Sequence, residues 1–194
     1  MNSKELIVVG GPNGAGKSTF VAGFLSERPC PYLSADLIAK EFPDLDPLSQ
    51  QIAAGREFLT RLDAQIKGTV DFVVESTLSG RSMRNFLTRA KAAGFSVTVF
   101  FICLDSAELC IARVKARVQR GGHNVPDADI RRRFARSLAN FWQIYREIAD
   151  QWAIVYNVSS EFVEVAFGVA EEYAVCDEAL FRDFQILAGI RDNG

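Results

Sequence analysis

One histidine, His123, in a chain of 194 residues rules out a zinc site built from several imidazoles. The four cysteines, Cys30, Cys103, Cys110 and Cys176, form no C-x-x-C pair, and two of them lie in apolar runs. Reduced core thiols are therefore expected, not a disulfide framework or a metal cage. No apolar run approaches the roughly 18 residues of a membrane span. The first apolar stretch begins almost at once, which leaves no room for a signal peptide. A charge surplus is lacking too: 22 Lys and Arg face 24 Asp and Glu, for a net charge of −2. That excludes a general attraction to nucleic acid or anionic membrane. Internal repeats and low-complexity tracts are absent. These absences leave a cytoplasmic protein with one domain over residues 1–194, whose 48% hydrophobic content is enough for a substantial core.

What the chain does hold is Gly11-Pro12-Asn13-Gly14-Ala15-Gly16-Lys17-Ser18-Thr19, which fits the phosphate-binding pattern G-x-x-x-x-G-K-[ST]. With glycine at about 7% of residues, the four fixed positions alone match by chance in roughly 1% of chains of this length. The flanks lower that figure. Leu6-Ile7-Val8-Val9 reads as a strand buried on both faces, and Phe20, Val21, Phe24 and Leu25 recur at helical spacing. Strand, glycine loop and helix start thus come in the order a P-loop needs. The loop's backbone N–H groups converge on an anion, and a helix beginning near Lys17 adds the partial positive charge of its N-terminus. Gly11, Asn13, Gly14, Ala15, Gly16, Lys17, Ser18 and Thr19 are the expected nucleotide-binding residues. Lys17 is placed to reach the β- and γ-phosphates, and the Ser18 hydroxyl to help hold Mg²⁺.

Strands and helices alternate from there. A short strand over 32–35 ends at Asp36, a helix over 48–67 turns Ile52, Phe58, Leu59, Leu62 and Ile66 inward, and a buried strand over 70–74 ends in Glu75. A helix over 81–93, an apolar strand over 95–104 ending at Asp105, and a helix over 106–120 follow. The next helix starts near Asp127 and carries Ile130, Phe134, Leu138, Phe141, Tyr145 and Ile148 on one face. A strand over 153–158, a strand pair within 162–175 and a helix over 177–187 complete the chain. The expected fold is α/β, with a mainly parallel sheet covered by helices on both faces, a three-layer P-loop NTPase or kinase architecture.

In a parallel sheet the P-loop, Asp36, Glu75 and Asp105 converge on one edge, where ligands bind. Asp36, at a strand end expected beside the P-loop, reads as a general base for an acceptor hydroxyl; its bland role is to cap the short helix after it. Glu75 occupies a position like that of a Walker B carboxylate, suited to Mg²⁺ through water or to orienting acceptor hydroxyls. Thr77 and Arg81 follow it in a polar loop and offer hydrogen bonds to an anionic acceptor. Asp105-Ser106-Ala107-Glu108 reads as a capping box, so Asp105 is assigned to structure. Arg113, Arg117 and Arg120 share one helix face, and Arg131, Arg132, Arg133 and Arg136 open the next helix. The glycines of Gly121-Gly122-His123-Asn124-Val125-Pro126 between them suggest a hinge, and the region 113–136 a lid that closes on triphosphate. Arg117 and Arg120, leading into the hinge, are the expected catalytic cations beside Lys17; Arg132 and Arg136 lie opposite the apolar stripe and read as a solvated face.

The P-loop string and Leu78-Ser79-Gly80 also look like parts of ABC transporter ATPases, but there the signature precedes the Walker B strand and here it follows it. The chain more closely resembles the zeta-toxin-like kinases. The resemblance rests on the P-loop, the Asp36 strand end, Glu75-Ser76-Thr77-Leu78-Ser79-Gly80, and the stretch from Arg113 through Gly121-Gly122-His123-Asn124-Val125-Pro126 into Ile130-Arg131-Arg132-Arg133-Phe134. It implies transfer of the γ-phosphate of ATP or GTP to a hydroxyl of an activated sugar, often UDP-N-acetylglucosamine. By that resemblance Asp36 matches the general base, Glu75 and Thr77 the acceptor-binding residues, and Lys17 and Ser18 the phosphate and metal contacts. The toxins' second lid arginine falls near His123, so Arg120 or His123 takes its place. A separately encoded antitoxin is the implied protein partner. Two other readings remain open: a kinase of nucleosides or nucleotides, and a nucleotide-switched binding protein that hydrolyses slowly.

Overall fold

Leu6, Ile7, Val8 and Val9 are each no more than 1% exposed. Consecutive strand side chains point to opposite faces, so the strand they form is covered on both. This strand, β1 (Lys4–Gly10), lies inside a sheet with β2 (Tyr32–Ser34), β3 (Phe72–Ser76), β4 (Phe95–Cys103), β5 (Gln151–Val158), β6 (Glu161–Val169) and β7 (Glu172–Val175). The computed structural model describes residues 4–122, 124–159, 161–169 and 172–190. The sheet order is β2-β3-β1-β4-β5-β6-β7, parallel from β2 to β5 and antiparallel across the last two pairings. The helices that flank it are α1 (Lys17–Glu27), α2 (Ala35–Ala39), α3 (Pro47–Gln65), α4 (Ser82–Ala92), α5 (Ala107–Gln119), α6 (Asp127–Asn140), α7 (Arg146–Ile148) and α8 (Glu178–Ala188).

The expected α/β architecture holds, and several local expectations shift. β3 stands between β2 and β1, so the strand leading to Asp36 is not the immediate neighbour of the P-loop strand. β3 begins at Phe72; Val70, expected inside it, is 57% exposed. Ile52 and Leu59, expected to face inward from α3, are half-exposed, while Ala54, Leu62 and Ile66 carry its buried side. Cys103 and Cys110 are buried, as core thiols should be, but Cys30 is only partly buried and Cys176 is exposed. Burial pushes the Cys110 thiol up to about 12, which keeps it protonated and inert at neutral pH.

Caps explain two further differences. Ser106, not Asp105, caps α5: its hydroxyl accepts from the Leu109 N–H at 3.1 Å. The glycines after α5 are a helix stop. The Gly121 N–H donates to the Val118 carbonyl at 2.9 Å and the Gly122 N–H to the Arg117 carbonyl at 3.0 Å, the pairing of a Schellman motif. Gly121 has φ +84°, a conformation in which any Cβ is strained. Replacing Gly121 with Ala should cost about 1 kcal/mol, a fall in Tm of about 2–4 °C for a domain of this size. A thermal melt checks this, and an unchanged Tm would leave the hinge reading of these glycines standing.

The predicted helix over Asp127 to Ile148 is interrupted. After α6 comes a π-helical turn, Phe141–Tyr145, and then the short α7. Phe141 stays buried and stacks on Phe101 of β4 at 4.4 Å between ring centroids. Gly55 is a different kind of interruption. It sits in the interior of α3, where glycine costs about 1 kcal/mol relative to alanine, although a Cβ there would meet nothing within 4 Å.

Candidate active site

The C-terminal ends of the parallel strands open into a cavity of about 1110 Å³. The P-loop forms its floor, from the end of β1 to the start of α1. Gly16 takes φ +99°, and a Cβ there would lie 2.3 Å from Asn157 Nδ2 at the end of β5. Only glycine lets that amide approach, and Asn157 uses the approach to donate to the Ala15 carbonyl at 2.9 Å. The fifth strand thereby pins the loop from behind.

Lys17 and Glu75 are the least exposed charged pair of the cavity. Lys17 Nζ donates to the Pro12 carbonyl at 3.0 Å and lies 3.8 Å from Glu75 Oε1. Glu75 Oε2 accepts from Ser18 Oγ at 2.8 Å and from the Tyr32 hydroxyl. Burial, with the Glu75 charge adding to it, raises the Tyr32 phenol far above its ordinary value, so it remains a donor at any physiological pH. The Ser18 and Glu75 oxygens are the hard donors that Mg²⁺ takes. No group of three or more His, Cys, Asp or Glu gathers as a metal cage among the described residues. That fits an ion held by one or two protein oxygens together with phosphates and water.

The loop after β3 is fixed from the far side of the sheet edge. Leu78 has φ +52° and is 1% exposed, a conformation a bulky residue holds only when its surroundings over-determine it. Its carbonyl accepts from Asn140 Nδ2 at 3.0 Å, and the Gly80 carbonyl accepts from the Tyr145 hydroxyl. Burial pushes that phenol up to about 12. The π-helical turn thus supplies the residue that ties this loop down, and Thr77 and Ser79, hydrogen-bonded to each other at 2.8 Å, are held on the cavity wall.

Asp36 does not cap α2. Ser34 occupies the cap position and Asp36 is the second helical residue, its half-exposed carboxylate 3.9 Å from Arg117 Nη1 and on the cavity wall. Arg117 and Arg120 reach the cavity as expected. So do Arg132 and Arg136, which the helical pattern had assigned to solvent, along with Arg113 and Arg133. Arg133 also donates to Asn13 of the P-loop at 3.4 Å, and Arg113 to the Asn157 carbonyl at 3.4 Å. Arg81 stands at the N-cap of α4, exposed, and is not among the residues that line the cavity. His123 lies outside the described residues. Tyr32 and Asn157 were not anticipated, each being a single polar residue on a short or apolar strand with no motif around it.

Eight basic side chains line the cavity against two acidic ones, in a protein whose net charge is −2. A P-loop at the sheet edge, backed by a strand-end carboxylate and faced by arginines from two helices, gives a P-loop fold of the kind that kinases share, with a cationic cavity at its strand ends. The chain belongs to the AAA domain family, which it matches over residues 6–140. A protein of Haemophilus influenzae without an assigned role is 35% identical over 124 residues, which are 64% of this chain and 88% of that one.

Among solved structures, the AvrRxo1-ORF1:-ORF2 complex with ATP superposes with a TM-score of 0.73 at 17% identity, over 94% of this chain and 63% of that one. This chain therefore spans less than two thirds of that protein. The PezAT chromosomal toxin–antitoxin system of Streptococcus pneumoniae gives a TM-score of 0.63 at 15% identity, over 96% of this chain and 79% of that one. A gluconokinase from Sinorhizobium meliloti gives 0.51 at 15% identity, over 96% and 92%. At these identities the likeness is one of fold.

Proposed function

We propose that the protein is a phosphotransferase that moves the γ-phosphate of ATP or GTP to a hydroxyl of a small-molecule acceptor, a UDP-activated sugar such as UDP-N-acetylglucosamine. The observation that carries the reading is the excess of cations around a half-exposed carboxylate, Asp36, in the cavity that the P-loop floors. One Mg²⁺-bound triphosphate does not need eight basic side chains. A surplus of this size suits an acceptor that brings phosphates of its own. A nucleoside monophosphate would meet the same condition, so nucleotide kinase activity is the second reading. A separately encoded antitoxin belongs to the first, supported by the fold shared with the PezAT system, and a cytoplasmic location goes with it.

The steps follow from the side chains. Lys17, the P-loop N–H groups and the start of α1 hold the phosphates. Mg²⁺, bound through Ser18 with Glu75 behind it, would neutralise phosphate charge. Asp36 takes the proton of the acceptor hydroxyl as the hydroxyl oxygen bonds to the γ-phosphorus and the bond from that phosphorus to the bridging oxygen breaks, leaving ADP or GDP. Arg117 and Arg120 stabilise charge on the transferring group. Glu75, already engaged by Lys17, Ser18 and Tyr32, serves the metal side more than the acceptor.

Arg117→Ala and Arg120→Ala should each lower kcat about 100-fold while KM for ATP changes little, because their work is done in the transition state. Steady-state kinetics of both variants decide it; wild-type values would return both arginines to a solvated face. The acceptor is tested by incubating the protein with Mg²⁺-ATP and a panel of UDP-sugars and nucleoside monophosphates, with products read by mass spectrometry. A phosphorylated UDP-sugar supports the first reading, a nucleoside diphosphate the second.

A further inference from the structure

A second cavity of about 420 Å³ opens beside the first. This lies within the range of small-molecule sites, about 300–1,000 Å³. Asn13, Ala35, Asp36, Lys40 and Arg133 line both cavities, so the proposed base stands where they meet. Their chemistry differs. Among the described residues of the second cavity Lys40 and Arg133 are matched by Asp36 and Asp129, and the remaining polar side chains are the amides of Asn13, Gln50, Gln51 and Asn124. No aromatic side chain among the described residues lines it, whereas Phe58 and Phe162 line the first. A balanced, amide-rich chamber without a stacking surface suits a saturated polyhydroxylated ring. It does not suit a nucleobase, which seeks an aromatic face, or a phosphate, which seeks a cationic surplus.

At Gly55 the wall of this chamber has open space where a side chain would stand. Gly55 lines the cavity from the interior of α3, and no neighbour requires a glycine there. Gly23 of α1 has equally open surroundings, but it is exposed to solvent and lines neither cavity. Within the phosphotransferase reading, on which this step rests, we propose that the chamber takes the uncharged saturated ring bearing the accepting hydroxyl, and that Gly55 sets the size of ring admitted. The charged remainder of the acceptor stays in the arginine-lined cavity.

The test compares wild type, Gly55→Ala and Gly55→Leu by calorimetry, each saturated with Mg²⁺ and a non-hydrolysable ATP analogue. The probes are hexoses, N-acetylhexosamines and UDP-sugars on one side, nucleosides and nucleoside monophosphates on the other. Wild type should bind a saturated-ring probe, Gly55→Leu should bind it at least tenfold more weakly, and affinity for the ATP analogue should stay within twofold. Gly55→Ala, with a Cβ in open space, should melt no lower than wild type and shows that the helix tolerates a side chain. Equal affinity in wild type and Gly55→Leu overturns the proposal, as does a wild-type protein that binds no saturated-ring probe. Binding that depends on Gly55 without transfer of γ-labelled phosphate would instead sink the phosphotransferase reading and leave the chamber standing.

Discussion

Asp36→Asn should bind ATP as wild type does and transfer phosphate about 100- to 10,000-fold more slowly, the range lost with a positioned general base. The substitution keeps the side chain's shape and removes its capacity to take a proton. Structural loss is expected to be small, since Asp36 is not the cap of α2 and its ion pair with Arg117, 3.9 Å long and half-exposed, is of the kind that contributes little to stability. Calorimetry for ATP beside a transfer assay separates the two effects. Transfer at the wild-type rate would remove Asp36 from the chemistry and leave the strand-end carboxylate without a role.

Lys17→Ala should raise the Kd for ATP about 10- to 100-fold, the equivalent of one charged hydrogen bond worth about 1.5–3 kcal/mol. The fold should survive, because Glu75 keeps two hydrogen-bond donors, Ser18 and Tyr32, after the ammonium is gone. Circular dichroism verifies the fold and calorimetry the affinity. A folded Lys17→Ala protein with unchanged ATP affinity would contradict nucleotide binding at the P-loop.

The parts of this site legible in the sequence are those written locally. Strand, glycine loop and helix adjoin in the chain, so the P-loop carries its own context. Glu75 and Asp36 were recognisable because a parallel sheet brings strand ends to one edge, whatever the strand order. The order itself was not legible: that β3 lies between β2 and β1 is settled by how crossovers pack, and no residue near Asp36 encodes it. Arg132 and Arg136 are exposed, as expected, and they border the cavity too, which was not foreseen for a physical reason. Helical periodicity tells a core face from a polar face, but a polar face can border a cavity as well as bulk water. Gly121 and Gly122 show a similar ambiguity, since a glycine pair reads the same whether it frees the chain or ends a helix; in the structure their hydrogen bonds to Val118 and Arg117 end α5. Asn157 had no signal at all, because its partner, the Ala15 carbonyl, is 142 residues away.

The destination of the γ-phosphate tests the central claim most directly. The protein, Mg²⁺ and γ-labelled ATP are incubated with a fractionated metabolite extract, and the label is followed into organic phosphate and inorganic phosphate. A phosphotransferase puts the label into a small-molecule phosphate in step with ADP formed, and Asp36→Asn abolishes that product. Label that appears only as inorganic phosphate, at the same rate with or without the extract, would contradict the account and identify a nucleotide-hydrolysing switch.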